Sequence, residues 1–328
     1  MRSPEVMLRQ IAGLATDIRE LTGGYDAQVA ALPLTGVRRV VLTGDGDSYH
    51  AALATELAFE TIADLACEPL PALRFAEYGI DRLRRAAAGA TLVVTVSASG
   101  RTERVVQAID RAREHGAVTV AVTGDADSPV AGHAEHVVVV AVPNSEPSPG
   151  IRTYQASLLG LLLIALRLGD PSRAEVLRGE LTALAEVVGA DQRCDGLAEA
   201  IAESGAVAML GSGPSYGTAL FAAAKVIEAA GVLAVGQDLE EWCHVERFAY
   251  PRDMPVFVIA PAGRSRWRAI RTVEQASSVG RRVIAVVPQV DHEFDRHAWQ
   301  VMPVAGVVRE EFSPLLYHPF ASRVASAL

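Results

Sequence analysis

The sequence predicts an α/β protein built as two tandem three-layer αβα domains, each around a parallel sheet. Short β-branched runs alternate with segments of helical length, a pattern that implies parallel pairing with helices on both faces. A second observation is a repeated turn. Gly44-Asp45-Gly46-Asp47-Ser48-Tyr49 is matched at Gly, Gly, Ser and Tyr by Gly211-Ser212-Gly213-Pro214-Ser215-Tyr216. Both turns fall between a predicted strand and a predicted helix, so an internal duplication of one α/β domain accounts for them.

Taken in order, residues 1–36 form a helical segment, 37–170 a first domain and 171–328 a second. Arg38 to Thr43 reads as a strand, followed by the first glycine turn and a helix from His50 to about Ile62. Thr91 to Val96 is the next strand, and a helix after Thr102 runs to about His115. Ala117 to Val122 and His136 to Val142 complete the first set of strands. Asn144 to Gly150, NSEPSPG, has too many turn-formers for a strand interior. Helices are expected from Thr153 to Leu168, Pro171 to Val188 and Asp191 to Ser204. The second set of strands is Ala206 to Leu210, Val256 to Ala260, Val283 to Val287 and Gln300 to Val304, with a helix from Trp267 to Val279.

Half of the 328 residues are hydrophobic and the formal net charge is −9. A chain of that length buries a sizeable core, and its acidity argues against nucleic acid as a partner. It does not argue against a phosphorylated ligand, because backbone N–H groups and hydroxyls can hold an anion locally. Cys67, Cys194 and Cys243 are too few and too scattered for a disulfide framework or a metal site, which fits a reducing cytoplasm. The N-terminus lacks the apolar core and cleavage site of a signal peptide. The apolar run from Leu158 to Leu166 is too short to span a bilayer and reads as a buried helix. No membrane partner is expected.

Two segments carry candidate chemistry. Ser97-Ala98-Ser99-Gly100-Arg101-Thr102 places three hydroxyls and several backbone N–H groups where a parallel strand ends and a helix begins. That combination favours an anion such as a phosphate; simple N-capping by Ser99 or Thr102 would also explain it. In the second segment, Lys225 and Glu228 sit at i and i+3 on one helix face. A surface ion pair would be worth little, but Phe221, Ala222, Ala223, Ala224, Val226, Ile227, Ala229 and Ala230 make this helix apolar nearly all round. A buried Lys–Glu pair has a large desolvation cost and suggests a task. Downstream, Asp238, Glu240, Glu241 and Glu246 surround His244. A helix N-terminus explains the acids; Glu240 or Glu241 with His244 would suggest a metal, but no second histidine is near. No metal or cofactor is expected.

VSASGRT resembles the phosphate-binding serine loop of the sugar isomerase (SIS) domain family, and GDGDSYHAAL resembles its Gly-Thr-Ser-Tyr turn. The segment from Gly211 to Tyr250 is similar to the isomerase domain of glucosamine-6-phosphate synthase, where a Lys, a Glu three residues later and a His sixteen residues after the Glu line the sugar site. Lys225, Glu228 and His244 keep that spacing. The likeness continues through MPVFVIAP and FSPLLYHPF and covers nearly the whole chain. It implies two tandem flavodoxin-like SIS domains without a glutaminase domain, and hence no glutamine-dependent ammonia supply.

The resemblance further implies a phosphosugar or amino-sugar substrate and proton transfer between C1 and C2. Glu228 would be the general base, Lys225 its partner and His244 the ring-opening residue, reaching in from a neighbouring subunit of a homodimer. Gly46, Asp47, Ser48, Ser97, Ala98, Ser99, Arg101, Thr102 and Glu241 would bind the substrate. Desolvation among apolar side chains would suit the base to its task.

The sequence departs from the family at several of these places. Asp47 replaces a threonine beside the sugar and suits a hydroxyl or an amine. Arg101 replaces a glutamate and is expected to pair with Asp47 or with the ligand's anion. Cys243 replaces a lysine, Arg152-Thr153-Tyr154 replaces a Ser-Thr-Lys run, and the lysine-bearing C-terminal tail is missing. These departures favour isomerisation without ammonia, or removal of an amine as in the fructosamine-6-phosphate deglycases. The alternative is a non-catalytic sugar-phosphate sensor, which has no need of Glu228.

Overall fold

A computed structural model describes residues 3–85, 87–190, 196–289 and 291–328. Its chain divides into two compact units. One comprises Thr16–Ser145 with Arg152–Ala183; the other comprises Met1–Ala15, Glu146–Ile151 and Leu184–Leu328. Each contains one five-stranded sheet in which all described pairings are parallel.

Helix α1 (Pro4–Ala30) precedes the first sheet. Then follow β1 (Arg39–Gly44), α2 (Asp47–Thr61), β2 (Ala66–Pro71), α3 (Ala72–Arg74), β3 (Thr91–Ser97), α4 (Glu103–Glu114), β4 (Val118–Thr123), α5 (Pro129–His133) and β5 (His136–Val139). The strand order is β2-β1-β3-β4-β5. The order in which successive strands are laid across the sheet therefore reverses between β1 and β3, the crevice where open α/β sheets take ligands. Strand β3 is buried at every position, as a strand covered on both faces must be. One face packs Phe75, Ile109 and Val130 against Val41, Val93 and Ala121. Helix α6 (Arg152–Leu168) is buried from Tyr154 to Leu166, which takes in the apolar run from Leu158 to Leu166 and, before it, the polar Gln155 and Ser157. Helix α7 (Pro171–Ala183) follows.

The second sheet repeats this plan. Its elements are α8 (Leu197–Ser204), β6 (Ala206–Leu210), α9 (Pro214–Ala230), β7 (Leu233–Gln237), α10 (Leu239–His244), β8 (Pro255–Ile259), α11 (Arg266–Ser278), β9 (Arg282–Pro288), β10 (Gln300–Val304), α12 (Ser313–Tyr317) and α13 (Pro319–Ala327). Read from the β7 edge the order is β7-β6-β8-β9-β10, so the switch point lies between β6 and β8. Trp242, Leu239 and Phe294 pack with Leu210, Val256 and Val258 beneath one face.

Two strands were not expected from the sequence. Strand β2, ACEPLP, holds two prolines, and β7, LAVGQ, holds a glycine. Each is an edge strand with a single partner, where a missing N–H or a weak apolar pattern is tolerated. The expected helix over 191–204 is present as α8; residues 191–195, with Cys194, lie outside the described residues. No described helix is long and apolar enough to cross a membrane.

Candidate active site

In the first unit two loops meet at the switch point. The loop after β1 passes so close to β3 that a Cβ on Gly44 would lie 2.7 Å from the Val96 carbonyl. Gly46 takes φ 54°, ψ −130° and starts α2, whose first residue is Asp47. Ser48 is half-buried, its N–H donating to the Asp45 carbonyl at 3.2 Å. The Asp47 carboxylate lies 3.6 Å from His50 Nδ1. It also faces Tyr154, whose hydroxyl is pushed well above its ordinary range by burial first and by Asp47 second.

The serine loop after β3 is held by its own hydroxyls. Ser97 Oγ accepts from the Gly100 N–H at 3.1 Å, and Ser99 Oγ accepts from the Arg101 N–H at 3.3 Å. Ser97 is buried, Ala98 and Thr102 are half-buried and Ser99 is exposed. Thr102 occupies the cap position of α4 yet makes no side-chain capping bond. Simple N-capping by Thr102 is thus not its role here. Arg101 corrects a further expectation: it pairs with Asp125 at 2.9 Å, not with Asp47. Asp45 accepts from the Ala72 N–H at 3.2 Å, and Arg152 grips Asp17 through two bonds of 2.7 and 2.5 Å. Both of these charges are committed to holding the fold.

In the second unit the loop after β6 repeats the glycine geometry, Gly213 taking φ 57°, ψ −132°. Ser212 Oγ donates to Asp238 Oδ2 at 2.5 Å, and Asp238 caps α10 by accepting from the Glu240 N–H. Helix α9 carries the charged pair. Lys225 Nζ lies 2.7 Å from Glu228 Oε2; the lysine side chain is 0% exposed, the glutamate 41%. The lysine also lies 5.0 Å from the centre of the Phe221 ring, whose edge meets the buried His318 at 5.6 Å.

The expectation of a helix buried all round is therefore half right. Residue i of the pair faces the core, but Ile227 and Glu228 are exposed, because a 100° step per residue carries i+3 to the margin of the buried stripe.

His244 ends α10 and is 67% exposed, with Nε2 3.0 Å from Glu240 Oε1. Glu240 is held ionised, its carboxyl below the usual range, first by the His244 bond and then by Arg268. Glu241 is exposed on the same helix. Cys243 is buried against Leu239, Thr272 and Gln275, and burial pushes its thiol up, as suits a packing residue rather than a nucleophile. Among the described residues no group of three or more His, Cys, Asp and Glu could hold a metal ion. Sequence reasoning missed Tyr154 beside Asp47 and His318 beside Phe221. Tyr154 lay in the quoted Arg152-Thr153-Tyr154 run, but nothing there signals its approach to Asp47.

Parallel sheets with a switch-point crevice, a hydroxyl-rich loop and a duplicated glycine turn define a doubly wound α/β class of fold that takes ligands at the carboxyl edge of its sheet. Residues 34–167 match the model of the SIS domain. The second sheet, outside that match, repeats its strand order. The chain is 25% identical over 319 residues to the isomerizing glutamine–fructose-6-phosphate aminotransferase of Methanothermobacter thermautotrophicus, aligning 95% of this chain with 52% of the relative. It thus spans about half the length of that relative. Among solved structures, the C-terminal domain of glucosamine-fructose-6-phosphate aminotransferase from Francisella tularensis superposes with a TM-score of 0.81 at 14% identity, covering 98% of this chain and 94% of that one. Glucosamine-6-phosphate deaminase from Thermotoga maritima superposes with a TM-score of 0.67 at 18% identity, covering 97% and 92%.

Proposed function

We propose that the chain acts on a phosphorylated or amino-substituted sugar, isomerising it or releasing its amine. The observation that carries this reading is the fully buried Lys225 ammonium, 2.7 Å from a carboxylate that reaches solvent. A purely structural pair gains little from such an arrangement, since the lysine bears the desolvation cost while the glutamate remains accessible. In the proposed reaction the Glu228 carboxylate takes a proton from C1 or C2 of the ring-opened sugar. The electron pair moves through the C1–C2 bond onto the carbonyl oxygen or iminium nitrogen, giving an enediolate or enamine; a proton passes between O1 and O2, Glu228 returns its proton to the neighbouring carbon, and water releases the amine where the substrate carries one. Lys225 holds Glu228 ionised until it takes the proton, or holds the oxygen of the intermediate that follows. Ser48, Ser97, Ser99 and Thr102 hold the anion, helped by loop N–H groups and the start of α4.

His244 opens the ring. Its exposure and its place at the end of α10 support a role in the site of a second copy of the chain, as in a homodimer with shared sites. Asp47 is assigned to a substrate hydroxyl or amine, because a carboxylate there repels a phosphate. Cys67 and Cys243, buried and without a disulfide, and the sugar substrate support a cytoplasmic setting.

The test is Glu228→Gln. Calorimetric titration with sugar 6-phosphates and fructosamine 6-phosphate should give binding close to wild type, while exchange of the C2 proton with solvent, followed by NMR, is abolished. Exchange at the wild-type rate in that variant would sink the mechanism. A second reading, a sugar-phosphate sensor without chemistry, is favoured by the bond that turns His244 toward Glu240. It predicts binding with no proton exchange in the wild-type chain.

A further inference from the structure

The second sheet repeats more of the first than its glycine turn. In the first sheet the loop after β3 sends Arg101 to Asp125, beyond β4. In the second, α11 begins with Arg266, which makes two hydrogen bonds of 2.7 Å to Asp291, beyond β9. Gly100-Arg101-Thr102 is echoed by Gly263-Arg264-Ser265. Both segments lie at the carboxyl edge of sheets with the same strand order, the edge that takes ligands in open α/β folds.

The chemistry at that edge has changed. In this register Ala260 and Ala262 stand where the first domain has Ser97 and Ser99. The Arg264 N–H donates to both oxygens of the Glu310 carboxylate, at 3.1 and 3.2 Å. A Cβ on Gly263 would come within 2.4 Å of Glu310 Oε1. The protein's own carboxylate therefore sits against this loop where a phosphate would have to lie. Arg266 offers no free charge either, being bonded to Asp291 and also to Glu293 at 2.7 Å.

Beside this filled anion seat lies a cavity of about 320 Å³, walled by Pro288, Val307 and Val308 and edged by Ala262, the Arg266–Asp291 pair and Tyr317. Tyr317 is 2% exposed, and its hydroxyl makes no hydrogen bond among the described residues. Burial and then Asp291 keep that hydroxyl protonated, so it is a donor with nothing to donate to. The volume falls at the small end of ligand pockets, about 300–1,000 Å³, and suits a hexose-sized molecule.

We propose that this cavity is a second small-molecule site, selective for an unphosphorylated polyol, neutral or cationic. Asp291 accepts from a ligand hydroxyl or ammonium, Tyr317 donates to a ligand oxygen, and the valines and proline cover the carbon face. The neighbouring anion seat is taken by Glu310, and the Arg266 charge at the cavity edge is already paired with Asp291 and Glu293, so no cation is left to hold a phosphate.

The test is titration of the full chain with N-methylglucamine, sorbitol and inorganic phosphate, read by calorimetry and saturation-transfer NMR. N-methylglucamine should bind, sorbitol more weakly, and phosphate should displace neither. Ala262→Trp, at an exposed loop position, fills the mouth of the cavity and should lower affinity by more than about tenfold with the melting temperature unchanged. Tyr317→Phe removes one oxygen and should lower it about fivefold. If that variant folds poorly, Ala262→Trp alone carries the test. Absence of binding by both polyols, displacement by phosphate, or equal affinity in Ala262→Trp overturns the proposal. Binding at a sugar site elsewhere in the chain would survive Ala262→Trp and so counts against it.

Discussion

Gly46 and Gly213 share one backbone conformation, φ 54°, ψ −130° in the first and φ 57°, ψ −132° in the second, each just before its helix. Side chains are essentially excluded from that region. A Cβ at either glycine would meet nothing within 4 Å, so the constraint is backbone conformation and not space. Gly213→Ala and Gly46→Ala should each destabilise the protein by about 1–3 kcal/mol. Urea denaturation measures this; a cost near zero would mean the turn relaxes without strain.

The Lys225–Glu228 pair is asymmetric in burial, and its variants should be asymmetric in stability. Lys225→Met replaces a buried ammonium with an apolar chain of similar length and should cost less than about 1.5 kcal/mol. Glu228→Leu leaves the ammonium buried without this carboxylate and should cost more, toward about 3 kcal/mol, short of a fully buried pair because water reaches the Glu228 position. Both should lose turnover. The opposite order of stability would show that the buried charge is well satisfied without Glu228.

Glu56 gives the fold a pH dependence. Burial, then the charges of Glu60 and Glu68, push its carboxyl from 4.5 to about 7. Between these values the folded chain holds a proton that the unfolded chain has released, so stability falls as pH rises through that window. The contribution is complete below about pH 4.5 and lost above about pH 7. Glu56→Gln should match wild type at pH 5 and exceed it at pH 8 by on the order of 1 kcal/mol, discounted for partial solvent access. Melting curves at the two pH values check this; an equal gain at both would assign the effect to packing.

If His244 serves the site of a second copy, inactive chains should complement one another. Glu228→Gln mixed equally with His244→Ala gives half mixed dimers, each with one intact site, and should recover about a quarter of the wild-type rate. No recovery in dimers verified as mixed would place His244 in its own chain's site or outside catalysis.

Much of the fold was legible because its signals are local. The β-branched runs at Val40, Val93, Val120 and Val256 and the glycine turns mark strands and helix starts wherever they occur. Strands β2 and β7 were not legible. At a sheet edge only one neighbour constrains the sequence, so Pro69, Pro71 and Gly236 could stand in strands that pattern reading rejects. The site divides in the same way. The serine loop and the Lys225–Glu228 spacing are contiguous in sequence and could be read from it. The partners of Arg101, Arg152 and Asp238 could not, because Asp125 and Asp17 come from distant segments and Ser212 from another loop.

By itself, the sequence determined the α/β class, the duplicated turn and the spacing of the candidate base and its lysine, all set by local periodicity and by residues only one backbone conformation accepts. Tertiary structure decided which charges were left for chemistry. It turned Arg101 to Asp125 and brought Asp47 to Tyr154, buried Lys225 while leaving Glu228 in reach of solvent, and set Glu310 against the second domain's loop. Those outcomes depend on distances between segments far apart in the chain, and electrostatic partners are chosen by distance and burial.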